Sequence, residues 1–139
     1  MRKFKNLSLV LLLITGLAFT SCKKKEKAPE PQQEETLLDK ITAEPWTLTK
    51  TLEYENGSLV GTITANAYIQ FYENGTYISD NGQDVDAGEF SLDESKNPPE
   101  MTLDGDIFQI VEFSDSAMKL ETTWQNNQTV YKKEIYFER

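Results

Sequence analysis

The chain has 139 residues with 23 acidic and 14 basic side chains, no histidine and one cysteine, and its formal net charge is −9. Without histidine, the chain lacks the commonest general base, the usual partner of serine and cysteine nucleophiles, and the commonest transition-metal ligand. The acidic balance disfavours contact with phosphate backbones, so we expect no nucleic-acid partner. We also expect no catalytic residues and no cofactor, and the length suits one domain.

The first 21 residues predict a signal peptide. Arg2, Lys3 and Lys5 precede an apolar run from Leu7 to Phe19. A helix of that length reaches only about 20 Å, which is short of the ~30 Å hydrocarbon core of a bilayer. Such a run is typical of a cleaved signal rather than a permanent span. Cys22, the single cysteine, follows it almost at once.

The segment Phe19-Thr20-Ser21-Cys22 resembles the lipid-attachment box of bacterial lipoproteins. In that family the cysteine receives a diacylglycerol, with acyl chains such as palmitate, and becomes the mature N-terminus. The lysines that follow Cys22 make the segment similar to Bacteroidetes lipoproteins. The resemblance implies lipidation at Cys22 and an outer-membrane location in the cell envelope, with the periplasmic and outer faces both open. The alternative is ordinary cleavage that leaves a free thiol.

The chain from Cys22 onward is more acidic than the whole. Three of the 14 basic residues and none of the acids precede it, so it holds 11 basic and 23 acidic residues and a formal net charge of −12. Such a surface disfavours adhesion to anionic headgroups, which leaves the acyl chains as the membrane attachment. Residues 22–36 contain two prolines and no aliphatic side chain larger than alanine. We predict that they form a disordered tether.

The predicted domain, residues 37–139, opens with one short helix. Thr36 is a suitable N-cap for a helix that runs through Ala43 and stops before Pro45. Its apolar side chains, Leu37, Leu38 and Ile41, fall on one side of the helix. We expect this helix to plug the end of a sheet structure.

From Trp46 onward, apolar residues alternate with polar ones, which is typical of β-strands. The predicted strands are Trp46–Tyr54, Leu59–Thr64, Ala67–Tyr72, Thr76–Ser79, Gly88–Leu92, Met101–Leu103, Ile107–Phe113, Met118–Trp124 and Val130–Phe137. Turn signals such as Asn56-Gly57 and Asp104-Gly105 separate them. The pattern predicts an all-β fold, an antiparallel up-and-down barrel of about eight strands, because closure hides strand edges.

Residues 37–139 resemble the lipocalin-like domain of Bacteroidetes lipoproteins. The matching features are the short helix with Trp46-Thr47-Leu48, the hairpin Ile69–Tyr77, the strand Gly88–Leu92 and the closing Tyr136–Arg139. Lipocalins carry Gly-x-Trp in the first strand, where this chain has Glu44 in place of the glycine. The resemblance implies a late basic residue against that tryptophan, here Arg139 on Trp46, and a barrel that binds a small hydrophobic molecule.

Four aromatic residues are candidates for the lining of a ligand cavity. Trp46, Phe71, Phe90 and Trp124 fall on alternating apolar faces of predicted strands. The alternative is that they form a packed core, since small barrels fill their interior with side chains. Three tyrosines, Tyr68, Tyr72 and Tyr77, are predicted to face outward, where they stack on sugars, contact a partner or stabilise the sheet as cross-strand pairs.

The densest acidic cluster lies in a predicted loop and comprises Asp80, Asp84, Asp86 and Glu89. Carboxylate oxygens suit calcium, but the spacing does not match an EF-hand, and aspartate and asparagine are ordinary turn residues. We therefore predict no metal site. The whole sequence predicts a monomeric, lipid-anchored envelope protein that binds a small hydrophobic or amphipathic ligand. The alternative is a non-enzymatic module with a filled core that binds proteins or glycans.

Overall fold

The computed structural model describes residues 34–139. The predicted signal peptide, Cys22 and all but the last three residues of the predicted tether lie outside this range. The elements are α1 (Leu37–Thr42), β1 (Trp46–Glu55), β2 (Ser58–Phe71), β3 (Thr76–Asp80), β4 (Val85–Asp93), β5 (Glu100–Leu103), β6 (Asp106–Phe113), β7 (Ala117–Asn126) and β8 (Thr129–Glu138). No helix in this part of the chain has the length and apolar composition needed to cross a bilayer.

The eight strands form a closed antiparallel barrel in which each strand pairs with its neighbours in sequence and β8 pairs with β1. This confirms the predicted all-β up-and-down barrel with one short N-terminal helix. Two of the predicted turns contain consecutive residues with positive φ, Asn56 and Gly57 at 49° and 82°, and Asp104 and Gly105 at 49° and 95°. Two-residue hairpin turns of this type require such backbone angles, which explains the Asn-Gly and Asp-Gly pairs.

The helix α1 covers one end of the barrel, as predicted. The Thr36 hydroxyl accepts a hydrogen bond from the Asp39 backbone N–H, and the Asp39 carboxylate accepts one from the Thr36 N–H. This reciprocal cap satisfies two backbone donors at the start of the helix. Ile41 is fully buried in the core. The Trp46 indole Nε1 donates to the Ile41 carbonyl at 3.0 Å, which ties the helix to the start of β1.

Strand β2 corrects one part of the predicted pattern. The two strands expected at Leu59–Thr64 and Ala67–Tyr72 are a single strand, Ser58–Phe71. Between Thr64 and Ala67, two residues of β2 lie opposite one residue of β1, so the irregularity is a β-bulge rather than a turn. The connecting Ala65-Asn66 contains neither glycine nor proline, so the chain continues in the extended conformation.

The core fills the end of the barrel next to α1. Its fully buried large side chains are Trp46, Phe71, Ile41, Met101, Met118 and Leu120. Phe71 lies at its centre, with ring centroids 4.9 Å from Phe90 and 6.5 Å from Phe137. Aromatic contacts in this range add to the stabilisation from buried apolar area.

Tyr77 faces the interior of the barrel, so its predicted outward direction is wrong. It pairs across the sheet with Phe71 and with Gly88. A Cβ atom at Gly88 would lie 2.5 Å from the Tyr77 ring, so the glycine provides the space that the ring occupies. The Tyr77 hydroxyl donates to the Asp104 carboxylate. Tyr68 and Tyr72 are exposed, as predicted.

Arg139 makes the contact with Trp46 that the lipocalin resemblance implied. Its guanidinium carbon lies 3.7 Å from the centroid of the Trp46 ring. The same side chain donates hydrogen bonds to the carbonyls of Lys40, Ile41 and Glu44 at 2.7–3.1 Å. The carbonyls of Lys40 and Ile41 lie in the last turn of α1, and that of Glu44 follows it. Arg139 therefore ties the end of β8 to the C-terminal end of the helix.

Candidate functional site at the open end of the barrel

The strands of the barrel differ in length, and this difference leaves the end opposite α1 open. β1 pairs with β2 and β8 along nearly its whole length, and β7 pairs with all ten residues of β8. In contrast, β3 pairs only with Tyr68–Phe71 of β2, and β6 pairs only as far as Glu121 of β7. The four strands β2, β1, β8 and β7 therefore continue as a four-stranded sheet past the points where β3 stops pairing with β2 and β6 stops pairing with β7. We call this continuation the projecting sheet.

A direct contact between hairpins holds the tip of the projecting sheet together. The Asn56 backbone N–H donates to the Val130 carbonyl at 2.8 Å, and the Asn56 side chain accepts from the Val130 N–H at 3.0 Å. Asn56 thus serves both as a turn residue of the β1–β2 hairpin and as a link to the β7–β8 hairpin.

The inner face of the projecting sheet carries two rows of side chains beyond the apolar core. Directly paired residues share a face of a sheet, so the register assigns the rows. The row nearer the core contains Glu53, Lys133 and Thr122, and the outer row contains Glu55, Tyr131 and Trp124. The open end is therefore charged next to the core and aromatic at its rim.

Trp124 and Tyr131 form a stacked pair at this rim. Their ring centroids lie 5.4 Å apart, with an angle of 13° between the planes. Trp124 remains 45% exposed although it lies on the inner face of β7. An exposed tryptophan stacked on a second ring presents a flat apolar surface with low conformational entropy, which is a common feature of ligand-binding surfaces.

A pocket of about 350 Å³ lies beside this aromatic pair, between β6 and β7. Its lining residues are Asp106, Ile107, Phe108, Thr122, Trp124 and Lys133. The pocket lies where the two strands have no ladder pairing, so their separation creates it. Its volume is at the lower end of the range for small-molecule sites, and its lining combines apolar and charged groups.

The charged groups of the open end are only partly paired. The Lys133 ammonium lies 3.6 Å from the Glu53 carboxylate, and both side chains are partly exposed. An exposed pair of this kind contributes at most about 1 kcal/mol to stability, so its rearrangement around a ligand would cost little. Asp106 lines the same pocket as Lys133, which gives the pocket one group of each sign.

The four aromatic residues that the sequence singled out occupy two different environments. Trp46, Phe71 and Phe90 are buried in the packed core, with 0%, 1% and 5% exposure. Trp124 lies at the open end with its side chain accessible. The structure thus separates Trp124 from the other three. It also adds Tyr131, Phe108 and Lys133, which the sequence reading did not select because nothing in the local pattern shows where a strand leaves its ladder.

The predicted loop of the acidic cluster is shorter than expected. Asp80 ends β3 and Asp86 and Glu89 lie in β4, so only Asn81–Asp84 form a turn. The Asp80 carboxylate accepts from the Gly82 N–H, and the Asn81 side chain accepts from the N–H groups of Gln83 and Asp84. These bonds hold the connection between β3 and β4. Residues 34–139 contain no group of three or more potential ligand side chains arranged to hold a metal ion.

On the outer face of the sheet, the Glu134 carboxylate lies among lysine and tyrosine side chains, and we call this group the Glu134 cluster. Glu134 is the one buried charged residue in the described range, with 4% exposure. Its Oε1 atom accepts from Lys132 at 2.8 Å and lies 3.1 Å from the Lys119 ammonium. Its Oε2 atom accepts from the hydroxyls of Tyr136 at 2.7 Å and Tyr54 at 3.2 Å.

These contacts determine the charge state of Glu134. Burial alone raises the pKa of the carboxyl, but hydrogen bonds from Lys132, Tyr136 and Lys119 outweigh burial and lower the pKa to about 2. Glu134 therefore stays ionised at neutral pH. Since its donors come from β1, β7 and β8, the cluster links three strands of the projecting sheet.

No protein-family model, no curated protein and no solved structure matches the chain. The function of the site is therefore inferred from its geometry and chemistry.

Proposed function

We propose that this chain is a lipid-anchored, lipocalin-like lipoprotein of the bacterial outer membrane that binds a small amphipathic molecule. The pocket beside Trp124 at the open end of the barrel is the proposed binding site. The observation that carries the proposal is an exposed tryptophan, stacked on Tyr131, beside a pocket that adjoins the core. The anchor at Cys22 rests on the sequence resemblance.

The lining of the pocket supports an amphipathic ligand rather than a fully apolar one. Ile107, Phe108 and Trp124 offer an apolar wall, whereas Asp106 and Lys133 offer charged groups. An uncharged hydrocarbon would desolvate both charged groups without pairing them, which is unfavourable. A molecule with an apolar body and a polar or charged head satisfies both parts of the lining.

The two tryptophans allow a direct test, because Trp46 is buried and Trp124 is exposed. We would use the chain from residue 22 onward with Cys22→Ala, so that no detergent is needed. The probes are 11-bromoundecanoate and 11-bromoundecyl-trimethylammonium, whose bromine quenches nearby tryptophan. We expect saturable quenching of the Trp124 emission by at least one probe, and no such quenching in Trp124→Phe.

The matched controls are Thr122→Phe and Thr123→Phe. Thr122 lies on the inner face and lines the pocket, so the added ring fills it. Thr123 adds the same ring on the other face of β7. We expect Thr122→Phe to weaken binding about tenfold or more and Thr123→Phe to leave it nearly unchanged. An equal effect of both variants, or the absence of saturable quenching by either probe, would exclude the pocket as the binding site.

A second candidate function is a module that binds proteins or glycans through its surface. The filled core around Trp46 and Phe71 favours it, because these side chains leave the interior next to α1 occupied by the protein itself. A failed quenching experiment would favour this second function.

A further inference from the structure

One edge of the projecting sheet is long and has no strand beside it. β2 pairs with β1 from Ser58 to Ile69 on one side. On its other side, β3 pairs only with Tyr68–Phe71. The ten residues Ser58–Ala67 therefore have no ladder partner on that side, although the barrel is closed. We call this segment the free β2 edge.

The free β2 edge and the two residues that follow it are uncharged. Residues 58–69 contain no charged residue and no proline, whereas 27% of all residues are charged. Three of its large apolar side chains, Leu59, Val60 and Ile63, are 55–60% exposed. Natural sheet edges are usually protected by lysine, proline, a β-bulge or a covering element, because an open edge accepts another strand. Of these protections, the free β2 edge has only β-bulges.

We propose that the free β2 edge is a self-association surface, on which the β2 strands of two copies of this chain pair antiparallel. In a two-fold interface the same patch of both copies is in contact, and a residue close to the axis lies near its own equivalent, so a charge close to the axis faces a like charge. Two copies that each carry a formal charge of −12 from Cys22 onward repel each other, and this repulsion is weakest where the contacting surfaces carry no charge. The free β2 edge is such a region.

The register follows from symmetry and from the length of the segment. If the two-fold axis is perpendicular to the sheet, a residue near the centre of the segment lies opposite itself, and Thr62 occupies that position. Two β-bulges, at Val60 and at Ala65-Asn66, leave Gly61–Thr64 as the regular central part of the free β2 edge. The pairing is therefore short, and we expect a weak dimer with an interface in the lower size class.

The test is disulfide crosslinking in the membrane, with the full chain carrying Thr62→Cys. Thr62 is exposed, and two cysteines on directly paired strands have the Cα separation that a disulfide needs. Thr123→Cys is the matched control, since it places an exposed cysteine on β7, at the opposite side of the projecting sheet. We expect about tenfold more crosslinked dimer from Thr62→Cys, because disulfide geometry tolerates little displacement. The wild-type chain gives the background from Cys22.

A second pair of variants separates pairing from random collision. Adding Val60→Lys and Thr64→Lys to Thr62→Cys places a lysine on each side of the two-fold axis in both copies. The lysines of the two copies then repel each other, so the dimer should be lost. Adding Thr123→Lys instead should leave the dimer unchanged. Equal crosslinking at positions 62 and 123, or a dimer that persists with both edge lysines, would overturn the proposal in favour of the monomer that the sequence suggested. Neither outcome bears on ligand binding in the pocket.

Discussion

Glu134 lies on the outer face of the barrel wall and is nevertheless buried, because its neighbours on β1, β7 and β8 cover it. The Lys132 ammonium lies 4.4 Å from the Tyr54 ring centroid, and the Lys50 ammonium lies 4.3 Å from that of Tyr136. Lys132 therefore contacts both the carboxylate and the Tyr54 ring, and Lys50 covers the ring of Tyr136, the second tyrosine bonded to Glu134. In such a cluster, loss of the carboxylate leaves several donors without their acceptor.

We expect Glu134→Gln to lower the free energy of unfolding by about 3–5 kcal/mol at pH 7, the range typical for removal of one partner from a buried ion pair. The effect depends on pH in a defined direction. The pKa of Glu134 is about 2 in the folded protein, below the usual 4.5, so its ionisation stabilises the fold above pH 4.5. This stabilisation is lost as the pH falls from 4.5 to 2. Urea unfolding at pH 7, 4.5 and 3 should show the difference from wild type shrinking over this range.

Glu121→Gln is the control for this prediction. Its carboxylate lies 3.9 Å from Lys132, and both side chains are about 30% exposed. Exposed pairs contribute about 0–1 kcal/mol, so we expect a small effect on the free energy of unfolding. If the two variants destabilise the protein equally, the Glu134 cluster does not hold the strands as proposed.

At the scale of single residues, the sequence predicts which face of a strand a side chain lies on better than it predicts how far that side chain is buried. Alternation correctly assigns Trp124 to the inner face with Met118 and Leu120. It does not show that Trp124 lies beyond the last ladder pair of β6 and β7, which leaves it exposed. Tyr77 was assigned to the wrong face because its local pattern is ambiguous. Gly88 was the available signal, since a paired glycine leaves space for a ring from the neighbouring strand.

At the scale of elements, α1 depends on Arg139, which follows β8. Arg139 donates to three carbonyls at the C-terminal end of the helix and covers the Trp46 ring. We expect Arg139→Ala to lower the free energy of unfolding by about 2 kcal/mol, because it removes charge-assisted hydrogen bonds and a cation–π contact. Urea unfolding followed by Trp46 fluorescence in a Trp124→Phe background measures the effect.

Arg139→Lys tests whether geometry or charge is responsible. Lysine keeps the positive charge but has no planar guanidinium, so it cannot bond the same carbonyls and stack on Trp46 at once. We expect an intermediate loss of stability. If lysine fully restores the stability of the wild type, charge alone is sufficient and the hydrogen bonds from Arg139 are dispensable.

The sequence also predicts where helices and strands lie better than it predicts where one strand ends and the next begins. The helix cap, the two-residue turns and the antiparallel order were predictable because each depends on local residues, such as Thr36 with Asp39 and Asn56 with Gly57. The continuity of β2 was not predictable, because Ala65-Asn66 carries no strong residue signature of a β-bulge. The open end was also unpredictable, since it depends on how far each strand pairs with its neighbour.

At the scale of the whole molecule, the barrel divides into a packed end and an open end. α1, Trp46, Phe71 and Arg139 close one end with apolar and hydrogen-bonding contacts. The other end carries the pocket, the stacked rings and the free β2 edge. Apart from Phe108, which belongs both to the pocket lining and to the core, the groups proposed to bind ligand and partner are separate from those that hold the core. Variants of these other groups should therefore change binding with little effect on folding.

The lipid anchor is the remaining prediction for the whole molecule. We expect the full chain, expressed with labelled palmitate in a bacterial host, to incorporate the label and to sediment with the outer membrane. Cys22→Ala should lose the label and leave the membrane fraction, because a strongly acidic chain has no electrostatic attraction to anionic lipid. Ser21→Ala is the matched control, since it keeps a small residue before the cysteine. If Cys22→Ala still sediments with the membrane after a high-salt wash, something other than acylation holds the protein there, and the proposed anchor is wrong.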